Sequence, residues 1–195
     1  MRVSVSWSDI DGLRRFDNAL KSLGEKKMRQ VANRALNAAG DQGRTQVVRA
    51  LAKQTGLTQK VVKRYIKVKR SDWGHLEYRI NSNSRDVPLK YFKPKEVDGG
   101  TIAKPFGEKT FYPDAFFRGG RFPARRVDLP GKMNGHVFVR KDRLGRTIMK
   151  AKSGVNISEQ MVKDASADAW HSTIGRVLPV KLEDQIEQAT NGVFS

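Results

Sequence analysis

A chain of 195 residues, 38% of them hydrophobic, is long enough for one substantial core, so a single domain spanning residues 1–195 is expected. The absence of cysteine excludes disulfides, thiolate metal sites and cysteine nucleophiles. Thirty-eight Lys and Arg against 20 Asp and Glu leave a net charge of +18, which sets the chain apart from an ordinary metabolic enzyme and implies an anionic partner.

The charge is unevenly placed. Residues 1–150 carry 34 basic and 14 acidic side chains (+20), whereas residues 151–195 carry 4 and 6 (−2). Attraction to nucleic acid or another anionic surface therefore belongs to the first three quarters of the chain. No apolar run reaches signal-peptide or membrane-spanning character, so a soluble chain with no membrane partner is expected.

In chain order, Val3, Val5 and Trp7 alternate with polar residues as in a half-buried strand. Ser8 or Asp9 can cap a helix bearing Ile10, Leu13, Phe16, Leu20 and Leu23, which Gly24 ends. A longer helix is predicted from Glu25 to about Lys53, with Gly40 and Gly43 as points of kinking or close packing. After Thr55-Gly56-Leu57-Thr58, a further helix is predicted over 59–66. Lys60, Lys63, Arg64, Lys67, Lys69 and Arg70 cluster on it and just beyond it. Residues 42–70 are therefore open to two readings, a helix-turn-helix DNA reader or a helical corner whose charges face solvent.

Beyond Asp72 the pattern changes to short strands: Leu76, Tyr78 and Ile80 alternate, and Val87 to Phe92 reads as another strand. Asp98-Gly99-Gly100 reads as a hairpin turn. Ala115-Phe116-Phe117 is followed by a Gly-rich loop with Arg118, Arg121, Arg125 and Arg126, whose Phe122 suits a plug into a partner protein. His136 to Arg140 and Thr147 to Lys150 read as a hairpin joined by Asp142-Arg143-Leu144-Gly145-Arg146. Ser158 is the expected N-cap of a helix with Met161, Val162, Ala165, Ala169 and Trp170 on one side. Pro179 is expected to interrupt it before a last acidic helix, whose Leu182 and Ile186 are candidates for docking a neighbouring subunit. The fold class is thus α+β: 1–72 mainly helical, 73–152 a β-rich region with long loops, and 153–195 helical, with helices packed on an antiparallel sheet.

Catalytic signals are weak. His75, His136 and His171 lack a second ligand at helical spacing, and the acidic pairs Asp9/Asp11 and Glu183/Asp184/Glu187 read more economically as helix-start and solvated-face residues than as magnesium ligands. Gly119-Gly120 stands in no nucleotide-binding pattern, and Ser153 and Ser158 have no base nearby in sequence. No enzyme activity, cofactor or metal is expected. The two basic groups remain, as contacts to nucleic acid, as contacts to an acidic neighbouring subunit or as a solvated surface.

The succession DAFF, VFVRKDRLGR, a basic-apolar return strand and SGVNISEQM, preceded by two long helical segments, resembles the minor tail protein Z family of long-tailed bacteriophages. The resemblance implies a virion component at the head-proximal end of the tail, assembled in the host cytoplasm with other tail and neck proteins. It further implies a ring-like homo-oligomer that completes the tail, positions the end of the packaged double-stranded DNA and joins head to tail. The alternative from the residues alone is a helix-turn-helix regulator using 42–70. A nuclease or a ribosomal-type RNA-binding protein is a third reading.

Overall fold

The computed structural model describes residues 1–6, 24–120, 122–123, 133–141 and 147–190. The helix expected before Gly24, Arg121, Arg125, Arg126 and the turn at 142–146 lie outside these residues.

Strand β1 (Arg2–Ser6) buries Val3 and Val5, as its alternation requires. Helix α1 (Gly24–Thr55) is about 48 Å long and buries Val31, Ala32, Ala35, Leu36, Ala39, Val47, Val48 and Leu51, a stripe at helical spacing. Gly40 and Gly43 do not break it. They lie on the buried stripe where large rings press against the backbone: a Cβ on Gly40 would stand 2.3 Å from the Tyr78 ring, and one on Gly43 would stand 2.8 Å from Trp170. The helix stops at Gly56, whose φ of 74° is the left-handed conformation that glycine adopts without a Cβ penalty.

Helix α2 (Gln59–Tyr65) spans two turns and passes directly into β2 (Ile66–Lys69), so Lys67 and Lys69 stand on a strand and not on an extension of the helix. Ile66 and Val68, two apart, turn inward only in extended backbone. Strand β3 (Glu77–Ser82) lies between β1 and β2, antiparallel to both, with Tyr78 and Ile80 fully buried.

The expected strand over Val87–Phe92 is instead a 3-10 turn at Leu89–Phe92. Pro88 fixes the backbone ahead of it, and Leu89 and Phe92, three residues apart, both reach the core, which a two-residue period would forbid. A second antiparallel sheet follows, β4 (Lys95–Val97), β5 (Gly100–Ala103) and β6 (Thr110–Pro113), with the hairpin at Asp98-Gly99 as expected. The DAFF segment forms no strand of its own: Asp114 has φ 54°, and Phe116 makes an isolated bridge to Phe138. The third sheet is the predicted hairpin, β7 (Phe138–Arg140) with β8 (Ile148–Lys150). Among the described residues the strands thus form three small sheets and not one.

Helix α3 (Ile157–Met161) is capped by Asn156 in place of Ser158: the extended backbone of Asn156 lets its Oδ1 accept the Ser158 N–H at 3.1 Å. Helix α4 (Asp164–Thr190) runs unbroken through Pro179. Proline forfeits one backbone hydrogen bond, but Trp170 and Leu178 before it and Leu182 and Ile186 after it are buried in register, and packing holds the helix together. Among the described elements, α1 and α4 pack against each other most extensively, and the core cluster extends from Val3 to Ile186.

Candidate nucleic-acid interface

Sequence spacing and the hydrophobic effect together place the first basic group outside. On α2, Val61 and Val62 are buried, which turns Lys60, Lys63 and Arg64 to solvent at i, i+3 and i+4 spacing. On β2 the same logic at period two buries Ile66 and leaves Lys67 and Lys69 exposed. The register then adds residues that sequence analysis missed. Lys67 pairs across the sheet with Asn81 and, one strand further, Arg2; Lys69 pairs with Arg79 and then Ser4. Side chains at paired positions share a face, so Arg2, Lys67, Lys69 and Arg79 stand on the solvent side of the sheet, continuous with the cationic side of α2.

Two of these cations are engaged within the chain. Arg70 pairs with Asp41 on α1, and Asp41 also accepts the Tyr78 hydroxyl at 2.8 Å. Burial first, and then Asp41, pushes the Tyr78 phenol above its ordinary range, so it stays a neutral donor. Arg79 makes a bidentate pair with Glu77, beside it on the same strand face. The cations left facing outward are those of α2, with Lys67, Lys69 and Arg2. The helix-turn-helix reading finds its corner, but its second helix has only seven residues and turns into an edge strand.

Of the second group, Arg118 is described. It is exposed, its guanidinium lies 5.6 Å from the Phe117 ring centroid, and its backbone N–H donates to Glu96 Oε1 at 3.0 Å, which ties Arg118 to β4. Arg121, Arg125 and Arg126 lie outside the described residues, and Phe122 is exposed. Arg118 is thus held against the second sheet, whereas the first group stands on α2 and β2.

Leu182 and Ile186, expected to dock a neighbouring subunit, are 0% and 4% exposed within the chain's own core. Their helical spacing is that of a buried face, and the face is covered by α1. The acidic last helix thus packs on the basic α1 of the same chain.

His136 is held below the ordinary imidazole range by partial burial first, then by Lys90 and Lys150. The unfolded chain therefore binds more protons than the native one below about pH 6.5. Stability is expected to fall as pH drops from that value through the depressed native one, and to be indifferent to this group above it. Thermal melts between neutral and mildly acidic pH should show a shallower decline for His136→Gln. An unchanged slope would contradict the assignment.

Fold and charge define a basic α+β protein with an exposed cationic sheet-and-helix surface. Residues 10–104 match the family described as Prophage minor tail protein Z (GPZ). The match supports a structural role in a phage tail. The matched segment contains the Lys60–Arg70 corner and not the Phe111–Lys163 stretch in which the resemblance is most readable from turn and strand residues. No curated protein and no solved structure matches the chain. Among the described residues, no helix is long and apolar enough to cross a membrane.

Proposed function

We propose that this protein works at the head-proximal end of the tail, where it completes the tail, positions the end of the packaged duplex and joins tail to head. The observation that carries this reading is the cationic surface of α2 and β2 inside the family-matched segment. Its action is stoichiometric. Lys60, Lys63, Arg64, Lys67 and Lys69 neutralise phosphates, which holds a duplex without reading its bases, as a passing DNA end of any sequence requires. Copies arranged in a ring would present this surface repeatedly around the lumen, and the Arg118 loop, with Arg121, Arg125, Arg126 and Phe122, would meet tail or neck neighbours or the same DNA.

Binding of a short duplex at several salt concentrations tests this reading. If about four to six phosphates are neutralised, log K should fall against log salt with a slope of about −4 to −5. Replacing Lys63, Lys67 and Lys69 by Ser should make that slope shallower by about 2 to 3. Salt-insensitive binding, or a strong preference for one sequence, would contradict it.

A further inference from the structure

Strand β8 is an apolar edge in a basic setting. Ile148 is 46% and Met149 45% exposed, on opposite faces of the strand, and Lys150 is exposed as well. The ladder fixes which backbone groups are occupied. Ala151 N–H donates to Val137 O and Lys141 N–H to Thr147 O, each at 2.9 Å, so residues 147, 149 and 151 turn their backbone groups toward β7. By the alternation of an antiparallel pair, the N–H and C=O groups of Ile148 and Lys150 point the other way, and no strand meets them among the described residues. The opposite side of β7 is already taken, since Phe138 exchanges hydrogen bonds with Phe116 at 2.8 and 2.9 Å. Any added strand must therefore come to β8.

Charge selects the occupant. Residues 138–152 contain Arg140, Lys141, Arg143, Arg146, Lys150 and Lys152 against Asp142 alone, a net +5. A second copy of this edge would set like charges opposite one another, and a duplex would gain nothing from Ile148 and Met149. The geometry points to β8 as the docking edge for an extended acidic segment of a neighbouring protein, which adds a strand through Ile148 and Lys150 and covers Ile148 and Met149 with apolar side chains. Main-chain hydrogen bonds supply the affinity of such strand addition, and alternate side chains supply its selectivity. The inference rests on the tail reading only for where that neighbour resides. Lysines on edge strands also discourage pairing between identical chains, so the same residues keep free copies apart before assembly.

The test uses the full chain and a short peptide alternating Glu with Val, beside the same peptide with Lys in place of Glu and a short DNA duplex. Amide hydrogen exchange at Ile148 and Lys150 should slow on addition of the Glu peptide alone. Ile148→Pro removes one outward N–H while leaving the bonds to β7, and should weaken peptide binding at least about tenfold, or 1.4 kcal/mol. Lys150→Pro, which removes the other outward N–H, should do the same. Equal binding of the Lys peptide, protection of these amides by duplex or by raised protein concentration, or unchanged exchange with the Glu peptide would overturn the inference. The tail role is read separately, by the presence of the chain in purified particles, so the two can fail independently.

Discussion

Trp170→Ala is expected to destabilise the protein by about 3 to 5 kcal/mol, with a fall in Tm of roughly 10 °C. Trp170 is the largest fully buried side chain among the described residues, its six-membered ring rests on Gly43 of α1, and it stacks on Tyr78 with ring centroids 6.3 Å apart. It therefore joins the three parts that form the core, namely α1, α4 and the first sheet. Removing the indole leaves a cavity that a 32-residue helix on one side and a sheet on the other cannot close without moving as units. Urea denaturation of the variant measures the loss. A change below about 1 kcal/mol would mean that α4 does not pack on α1 through this ring.

Gly40→Ala gives the second large effect, and its sign decides between two principles. In an exposed helix interior, alanine in place of glycine stabilises by about 1 kcal/mol. At Gly40 the added methyl would meet Tyr78, which is fully buried and held at its far end by the bond to Asp41, so the ring cannot swing aside. Overpacking of this kind costs about 1 to 3 kcal/mol and more where the neighbour is fixed, so net destabilisation of at least about 2 kcal/mol is expected. Gly175→Ala is the control: a methyl there meets nothing within 4 Å, and the substitution should stabilise slightly. Stabilisation by Gly40→Ala would show that helix and sheet do not approach as described.

Local chemistry made part of this fold legible. Alternation placed Val3, Val5, Tyr78 and Ile80 on strands, Asp98-Gly99 marked a hairpin, and β-branched and aromatic residues marked β7. Misreadings arose where tertiary packing outweighed a local signal. Pro179 looks like a helix end, yet the buried positions on both sides of it keep α4 continuous. Leu89 and Phe92 satisfy a 3-10 period as well as an interrupted strand, and only the position of the core distinguishes the two. Leu182 and Ile186 form an apolar helix face in either case, and nothing in the sequence says whether the chain itself or a neighbour covers it.

The candidate interface was legible in the same partial way. Lys60, Lys63, Arg64, Lys67 and Lys69 are consecutive enough to be noticed, whereas Arg2, Arg79 and Asn81 join them only through the register of β1, β3 and β2. Register is set by which faces bury and not by any local motif, whether the paired strands are close in sequence, as β2 and β3 are, or more than seventy residues apart, as β1 and β3 are. Arg70 looked like one more cation of the cluster. Its partner Asp41 is 29 residues away in sequence, and only the fold shows that its charge is already met.

A position at the head-proximal end of a phage tail, with the α2–β2 surface toward the DNA, can be read by electron cryomicroscopy of the intact virion that carries this chain, with the chain confirmed in the particles by mass spectrometry. Density for this fold is expected between the tail tube and the neck, with Lys60, Lys63 and Lys67 lining the lumen. Particles without the chain, or density at the distal tip with that surface turned away from the DNA path, would contradict it.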